Sequence, residues 1–192
     1  MDSYLLPLLT SFTLVFMAEL GDKTQLATIM LSSRASGRSV FTGAMLAFLL
    51  VDGVSALAGG GILRSLPFIW VDLASGALFI LFGVLSLLGG AGRVRVEGDG
   101  VTILKTFSIV SIMELGDKTQ LASIILAAEL GSPVSVVAGM MLAFASVTGL
   151  GVLLGTKLLR LMPERYLRVG CSLLFVFFGI LFIFRAFSIW SF

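Results

Sequence analysis

The chain has 192 residues, 58% of them hydrophobic and 12% charged, with 22 Gly, 16 Phe, no His and a net charge of +2. A soluble domain carries about 25% charged residues, so this composition excludes an ordinary soluble fold, and cations so few and scattered exclude a nucleic-acid surface. The absence of His removes the usual Zn or Cu ligand and the usual proton shuttle, leaving any proton chemistry to carboxylates. Six apolar runs follow in chain order, roughly 5–31, 40–62, 69–91, 102–128, 134–156 and 167–189. Each reaches the ~20 residues that a helix needs to cross a bilayer. Arg34–Arg38, Arg64–Pro67, Gly92–Gly100, Gly131–Pro133 and Lys157–Arg168 separate them. The N-terminus, Met1-Asp2-Ser3-Tyr4, has no basic stretch of the signal-peptide kind, so the first run reads as a permanent span. Cys171, the single cysteine, has no intrachain disulfide partner and reads as a packed core residue.

The sequence repeats. Glu19-Leu20-Gly21-Asp22-Lys23-Thr24-Gln25-Leu26-Ala27 recurs unchanged from Glu114 to Ala122, an offset of 95. Beyond a one-residue indel, Gly43–Phe48 matches Gly139–Phe144, Leu63–Pro67 matches Leu159–Pro163, and Phe79 and Gly83 match Phe175 and Gly179 at an offset of 96. A unit of three spans inverts when it is repeated, because an odd number of crossings leaves the chain on the other side. The expected fold is therefore an all-α integral membrane protein of six transmembrane helices in two inverted three-helix repeats. The repeats would be 1–92 and 101–192, joined by a cytoplasmic linker at 93–100. Arg34, Arg38, Arg93, Arg95, Lys157, Arg160, Arg165 and Arg168 fall in loops on one side, which the positive-inside rule makes cytoplasmic, with both termini outside. Inverted three-plus-three repeats are a recurring plan of secondary transporters, with the site at the repeat interface.

Within each motif Glu and Asp are three residues apart, on one face of a helix. Lys23 follows Glu19, and Lys118 follows Glu114, by four residues, a spacing that allows an ion pair inside each motif. Charges at such depth cost several kcal/mol each unless they face a cavity or one another. Pairing alone would not require the Gly, Thr and Gln that accompany them, so a transport site is the sharper reading. Inversion brings Glu19, Asp22, Glu114 and Asp117 together, with Thr24, Gln25, Thr119 and Gln120 as neutral oxygens. Oxygen-only ligation suits hard cations such as Ca²⁺, Mn²⁺ or Mg²⁺. Four carboxylates and two ammonium groups sum to −2, which one divalent cation or two protons neutralise. Clustered, desolvated carboxylates also hold protons tightly, since burial and like charge both oppose ionisation. Gly21 and Gly116 either break the motif helices or permit close packing; spacing does not choose between the two.

Two copies of E-x-G-D-[KR]-[ST], in the first and fourth of six spans, resemble the Ca²⁺:cation antiporter-2 family. Its members include the Golgi manganese/calcium transporter, chloroplast manganese transporters and bacterial manganese exporters. The resemblance implies that Glu19, Asp22, Glu114 and Asp117 are the essential acids. It also implies that Mn²⁺ or Ca²⁺ leaves the cytoplasm in exchange for H⁺, as transported substrate and with no resident cofactor. The chain lacks the N-terminal extension and acidic central loop of some eukaryotic members and looks like the minimal prokaryotic type, which implies the cell membrane.

Asp52, in the second run, has Thr148 at the matching place; it reads either as a proton acceptor beside the site or as a polar residue facing the cavity. Asp72 is expected at the membrane interface, Ser111 and Ser123 in the cavity wall or in packing, and Phe175–Phe187 against lipid. Trp70 and Trp190 are expected as interfacial anchors, and Gly43, Gly76, Gly83, Gly139 and Gly179 as points of close helix approach. The alternatives are an exporter of small organic solutes, a passive channel, or a membrane-embedded phosphatase or lipid-processing enzyme. No intramembrane Arg adjoins either motif, as phosphate chemistry would require. No catalytic residue is assigned, the expected partners are divalent ions, protons and lipid, and oligomeric state is left open.

Overall fold

A computed structural model describes residues 2–88, 102–154 and 164–190. The described residues form eight helices: α1 (Asp2–Glu19), α2 (Lys23–Ser32), α3 (Gly37–Leu63), α4 (Phe68–Leu88), α5 (Ile103–Glu114), α6 (Lys118–Glu129), α7 (Pro133–Leu154) and α8 (Glu164–Trp190). The expected linker at 93–100, Arg93, Arg95, Lys157, Arg160 and the match Leu159–Pro163 all lie outside the described residues.

The α3, α4 and α7 helices and the Val169–Ser188 portion of α8 are each long and apolar enough to cross a membrane. A further span arises if α1 and α2 are taken together, although they bend by 70° at their junction. The chain is thus a multi-pass helical membrane protein. The first and fourth apolar runs, each drawn as one span, are broken inside the motif. Gly21 and Gly116 both adopt φ +77, a left-handed conformation open to glycine at little cost, and α2 and α6 restart two residues later. Of the two roles left open for these glycines, the structure shows the break.

Helices of the two halves interleave. The α1 helix packs along α7, α3 along α5 and α6, and α4 along α8. Glycines set the approach. A Cβ on Gly43 would lie 2.5 Å from the Ile103 carbonyl and 2.8 Å from Thr106 Cβ, and one on Gly139 would collide with the Leu8 carbonyl and Ser11 Oγ. Gly76, Gly83 and Gly179 do the same between α4 and α8, so all five expected contact glycines serve that purpose. Matching residues also meet each other: Phe48 stacks on Phe144 with ring centroids 3.8 Å apart, and Phe79 meets Phe175 edge-on at 5.2 Å. These rings join Leu14, Val110 and Met140 in the main core.

Asp72, near the start of α4, is fully buried within the protein: Arg185 of α8 bonds both it and Glu129 at the end of α6, and this pairing makes burial tolerable. The expectation for the last run needs correction. The phenylalanines of α8 are divided. Phe177, Phe184 and Phe187 are exposed as lipid-facing side chains would be, but Phe175 and Phe182 are buried against Phe79, because an α-helix at this spacing turns every third or fourth residue inward. Cys171 is buried in the core as expected. Trp70 is exposed, and the side chain of Trp190 lies outside the described residues.

Candidate cation site

The breaks at Gly21 and Gly116 place both motifs in one buried cluster. Each is stapled by its own glutamine: Gln25 Oε1 accepts the Gly21 N–H at 2.6 Å, and Gln120 Oε1 accepts that of Gly116 at 2.8 Å. These bonds satisfy a donor that the broken helix leaves without its usual partner. The glutamine amides then cross to the opposite half, Gln120 to α3 and Gln25 to α7. Gln120 Nε2 donates to Ser55 Oγ at 2.8 Å and Gln25 Nε2 to the Val147 carbonyl at 3.5 Å.

All charged and hydroxyl contacts of the motifs cross from one copy to the other. Thr24 Oγ1 donates to Glu114 Oε1 at 2.5 Å, and Thr119 Oγ1 donates to Glu19 Oε1 at 2.6 Å. Lys23 Nζ donates to Asp117 Oδ1 at 3.0 Å, and Lys118 Nζ donates to Asp22 Oδ1 at 2.7 Å. The ion pairs allowed within each motif therefore do not form. Their four-residue spacing presumes a continuous helix, and the break at glycine turns each lysine toward the other motif's aspartate.

Asp22 and Asp117 occupy the N-cap positions of α2 and α6, yet neither side chain caps its helix. An aspartate there ordinarily binds the amides of the first turn; here one oxygen takes a lysine instead. The second oxygens, Asp22 Oδ2 and Asp117 Oδ2, are buried without a hydrogen-bond partner, as is Glu114 Oε2. A buried carboxylate oxygen with no donor is costly unless a cation or proton meets it. One oxygen each from Glu19, Asp22 and Asp117 lies within 4.8 Å of the others, a spacing that can hold a metal ion. Glu19 and Glu114 are 1% and 0% exposed, so these acids are cut off from bulk water.

The eight site residues expected from the sequence are thus brought together. Their contacts differ from an equal four-acid, four-neutral shell: both glutamines hold backbone and both threonines bond glutamates, and the acid oxygens found within reach of one another come from Glu19, Asp22 and Asp117, while Glu114 is tied to the cluster through Thr24. Ser123 is buried, with Oγ donating to the Gln120 carbonyl at 2.7 Å and to the Asp52 carbonyl at 3.4 Å. Ser111 Oγ is buried without a partner. Asp52 is fully buried, with neither carboxyl oxygen bonded and its backbone carbonyl against Ser123 of α6; the signal for it was a lone acid in the middle of an apolar run.

The family model described as divalent cation/proton antiporter GDT1 matches residues 7–93 and 102–190. The chain is 31% identical to the chloroplastic protein PAM71 of Arabidopsis thaliana over 88% of its own length and 54% of that protein's. It is 29% identical to GDT1-like protein 5 of Arabidopsis thaliana, covering 94% of this chain and 96% of that one. To GDT1-like protein sll0615 of Synechocystis it is 28% identical, over 90% and 96% of the two chains. Against PAM71 and the chloroplastic rice relatives, the chain spans between half and three-fifths of their lengths. No solved structure matches it. With both halves matched and the motif of each half in the shared cluster, the chain belongs to the GDT1 family of divalent cation/proton antiporters.

Proposed function

We propose that the chain exports a divalent cation, Mn²⁺ or Ca²⁺, from the cytoplasm in exchange for H⁺, by alternating access around Glu19, Asp22, Glu114 and Asp117. The observation that carries this reading is the set of half-used carboxylates. Asp22, Asp117 and Glu114 each give one oxygen to a protein donor and keep the other buried and free. Protein donors fix the geometry, and the free oxygens await a hard cation of the kind that oxygen ligands favour. Family membership supports the same reading.

The exchange follows from charge. Four carboxylates and two ammonium groups leave the motif cluster at −2, a charge that cannot cross a low-dielectric barrier uncompensated. One divalent cation neutralises it on the outward stroke, and two protons neutralise it on the return. Metal and protons compete for the same oxygens, so the empty, unprotonated site stalls and the two fluxes are linked.

The topology we infer is six spans in two inverted three-helix units, with α1–α2 and α5–α6 each forming one broken span. The reciprocal contacts support it: Thr24–Glu114 mirrors Thr119–Glu19, Lys23–Asp117 mirrors Lys118–Asp22, and Gly43 on α5 mirrors Gly139 on α1. Self-contact of Phe48 with Phe144, and of Phe79 with Phe175, is what an approximate two-fold axis requires. Broken helices whose ends face the ion are a recurring device of such transporters. Arg34, between α2 and α3, and Arg38, in the first turn of α3, support a cytoplasmic position for that end and extracytoplasmic termini; the cell membrane is inferred from the likeness to minimal family members.

The test is uptake of Mn²⁺, Ca²⁺ or Mg²⁺ into proteoliposomes under an imposed proton gradient. The reading predicts uptake of Mn²⁺ or Ca²⁺ that collapses with a protonophore and is lost in Glu19→Gln and Asp117→Asn. Uptake that survives either substitution would remove the carboxylate site from the mechanism.

A further inference from the structure

We propose that Asp52 is a fifth carboxylate ligand of the transported divalent cation, delivered to the motif cluster from α3; the inference rests on the cation reading above and makes the site asymmetric. Asp52 is 0% exposed, and neither Oδ1 nor Oδ2 has a hydrogen-bond partner. Its carboxyl group interacts electrostatically with Glu19, Glu114 and Asp117. The two ammonium groups of the cluster are already bonded, Lys23 to Asp117 and Lys118 to Asp22. Ionised together, the five carboxylates and two ammonium groups would carry −3, one charge more than a divalent ion offsets, so one of the five carboxyl groups keeps a proton while the metal is bound. A buried acid with two free oxygens is among the most costly groups a fold can hold unless a cation completes it.

The local backbone is shaped around it. Residues Leu49–Gly53 form a π-helical turn within α3, a widened turn found mostly as a single insertion at functional positions. The turn is locked to the second motif's helix, because Ser123 Oγ reaches the Asp52 carbonyl at 3.4 Å and Gln120 Nε2 binds Ser55 at 2.8 Å. In the other half the matching helix α7 is regular α-helix through this region, and the matching residue is the buried Thr148. The irregular turn and the extra acid therefore occur together, in one half only. An ion held between the motifs meets a carboxylate from α3 and a neutral hydroxyl-bearing side chain at the equivalent place on α7. A fifth acidic oxygen donor suits a divalent ion of high coordination number and disfavours a monovalent ion, which cannot offset the charge.

The experiment uses the full chain purified in detergent and titrated calorimetrically with MnCl₂ and with CaCl₂. The variants are Asp52→Asn, Asp52→Thr, which copies Thr148, and Glu114→Gln as the reference loss. Both Asp52 variants are expected to weaken metal binding by about tenfold or more, the scale of one lost charged ligand. Terbium luminescence lifetimes in H₂O and D₂O should reveal an additional coordinated water in each. Without metal, Asp52→Asn should melt at a higher temperature than the parent, because an unpaired buried charge has been removed; a purely structural aspartate would move it the other way. Unchanged affinity and water count in both variants, with binding lost in Glu114→Gln, would overturn the role of Asp52 and leave the motif site standing. Unchanged binding in Glu114→Gln as well would overturn the motif site, and the inference with it.

Discussion

Replacing Gly116 by alanine separates the cost of the helix break from the cost of close packing. Gly116 has φ +77, and a Cβ added there meets nothing within 4 Å. The penalty is therefore conformational alone, about 1–2 kcal/mol for a left-handed non-glycine residue. Asparagine tolerates that region better, so Gly116→Asn should cost less than Gly116→Ala, and Gly116→Val should cost most. Gly43→Ala is the contrasting case: its backbone is helical, but the new Cβ would lie 2.5 Å from the Ile103 carbonyl and 3.1 Å from the Phe107 nitrogen. Neither backbone atom yields without moving α5, so overpacking costs about 1–3 kcal/mol there. Gly61→Ala, with no atom within 4 Å and helical geometry, should be neutral or stabilise by up to about 1 kcal/mol. Thermal unfolding in detergent reads these differences at about 2–4 °C per kcal/mol for a chain of this size. Transport should fall further in Gly116→Ala than stability does, because straightening the break carries Asp117 away from Lys23. An alanine at 116 that changes neither melting nor transport would refute the claim that the motif helix is held broken.

Three further expectations follow from the same geometry. Thr24→Val and Thr119→Val each strand a buried glutamate oxygen at a cost of about 1–3 kcal/mol; both should impair transport, while Thr24→Ser and Thr119→Ser retain it. Arg185→Met leaves Asp72 and Glu129 facing each other without their shared cation. Unfolding measurements should show a loss of about 3 kcal/mol, at the low end for a broken buried pair because Arg185 is partly exposed. Metal affinity should rise with pH in calorimetric titrations, since protons and metal compete for the same oxygens and binding releases protons; affinity that is flat with pH would argue against a shared site.

The eight motif residues and their convergence were legible because duplication and charge are properties of the sequence itself. An odd number of spans, repeated, permits few arrangements, and acids in apolar runs have few places to go. The partners of those residues were not legible. Pairing of Lys23 with Glu19 presumed an unbroken helix, and a single backbone angle at Gly21 reassigned it to Asp117. The pairing of Asp72 was hidden as well, because its neutralising partner Arg185 is 113 residues away along the chain. Burial of Phe175 and Phe182 depended on which face α8 turns toward α4, a rotation fixed by the Gly76–Gly179 contact rather than by composition. Asp52 was visible as an oddity, but its two free oxygens and its place beside the motifs emerge only from the packing of α3 against α6.

The most direct test of the central claim is proton counterflow driven by metal alone. Proteoliposomes carrying the protein and an internal pH indicator, with no initial pH gradient, receive external MnCl₂ or CaCl₂. Exchange at a shared carboxylate site should acidify the outside and alkalinise the inside as metal enters, with Glu19→Gln and Glu114→Gln silent. Metal entry without any proton movement, in protein whose metal binding is intact, would contradict exchange at a shared carboxylate site.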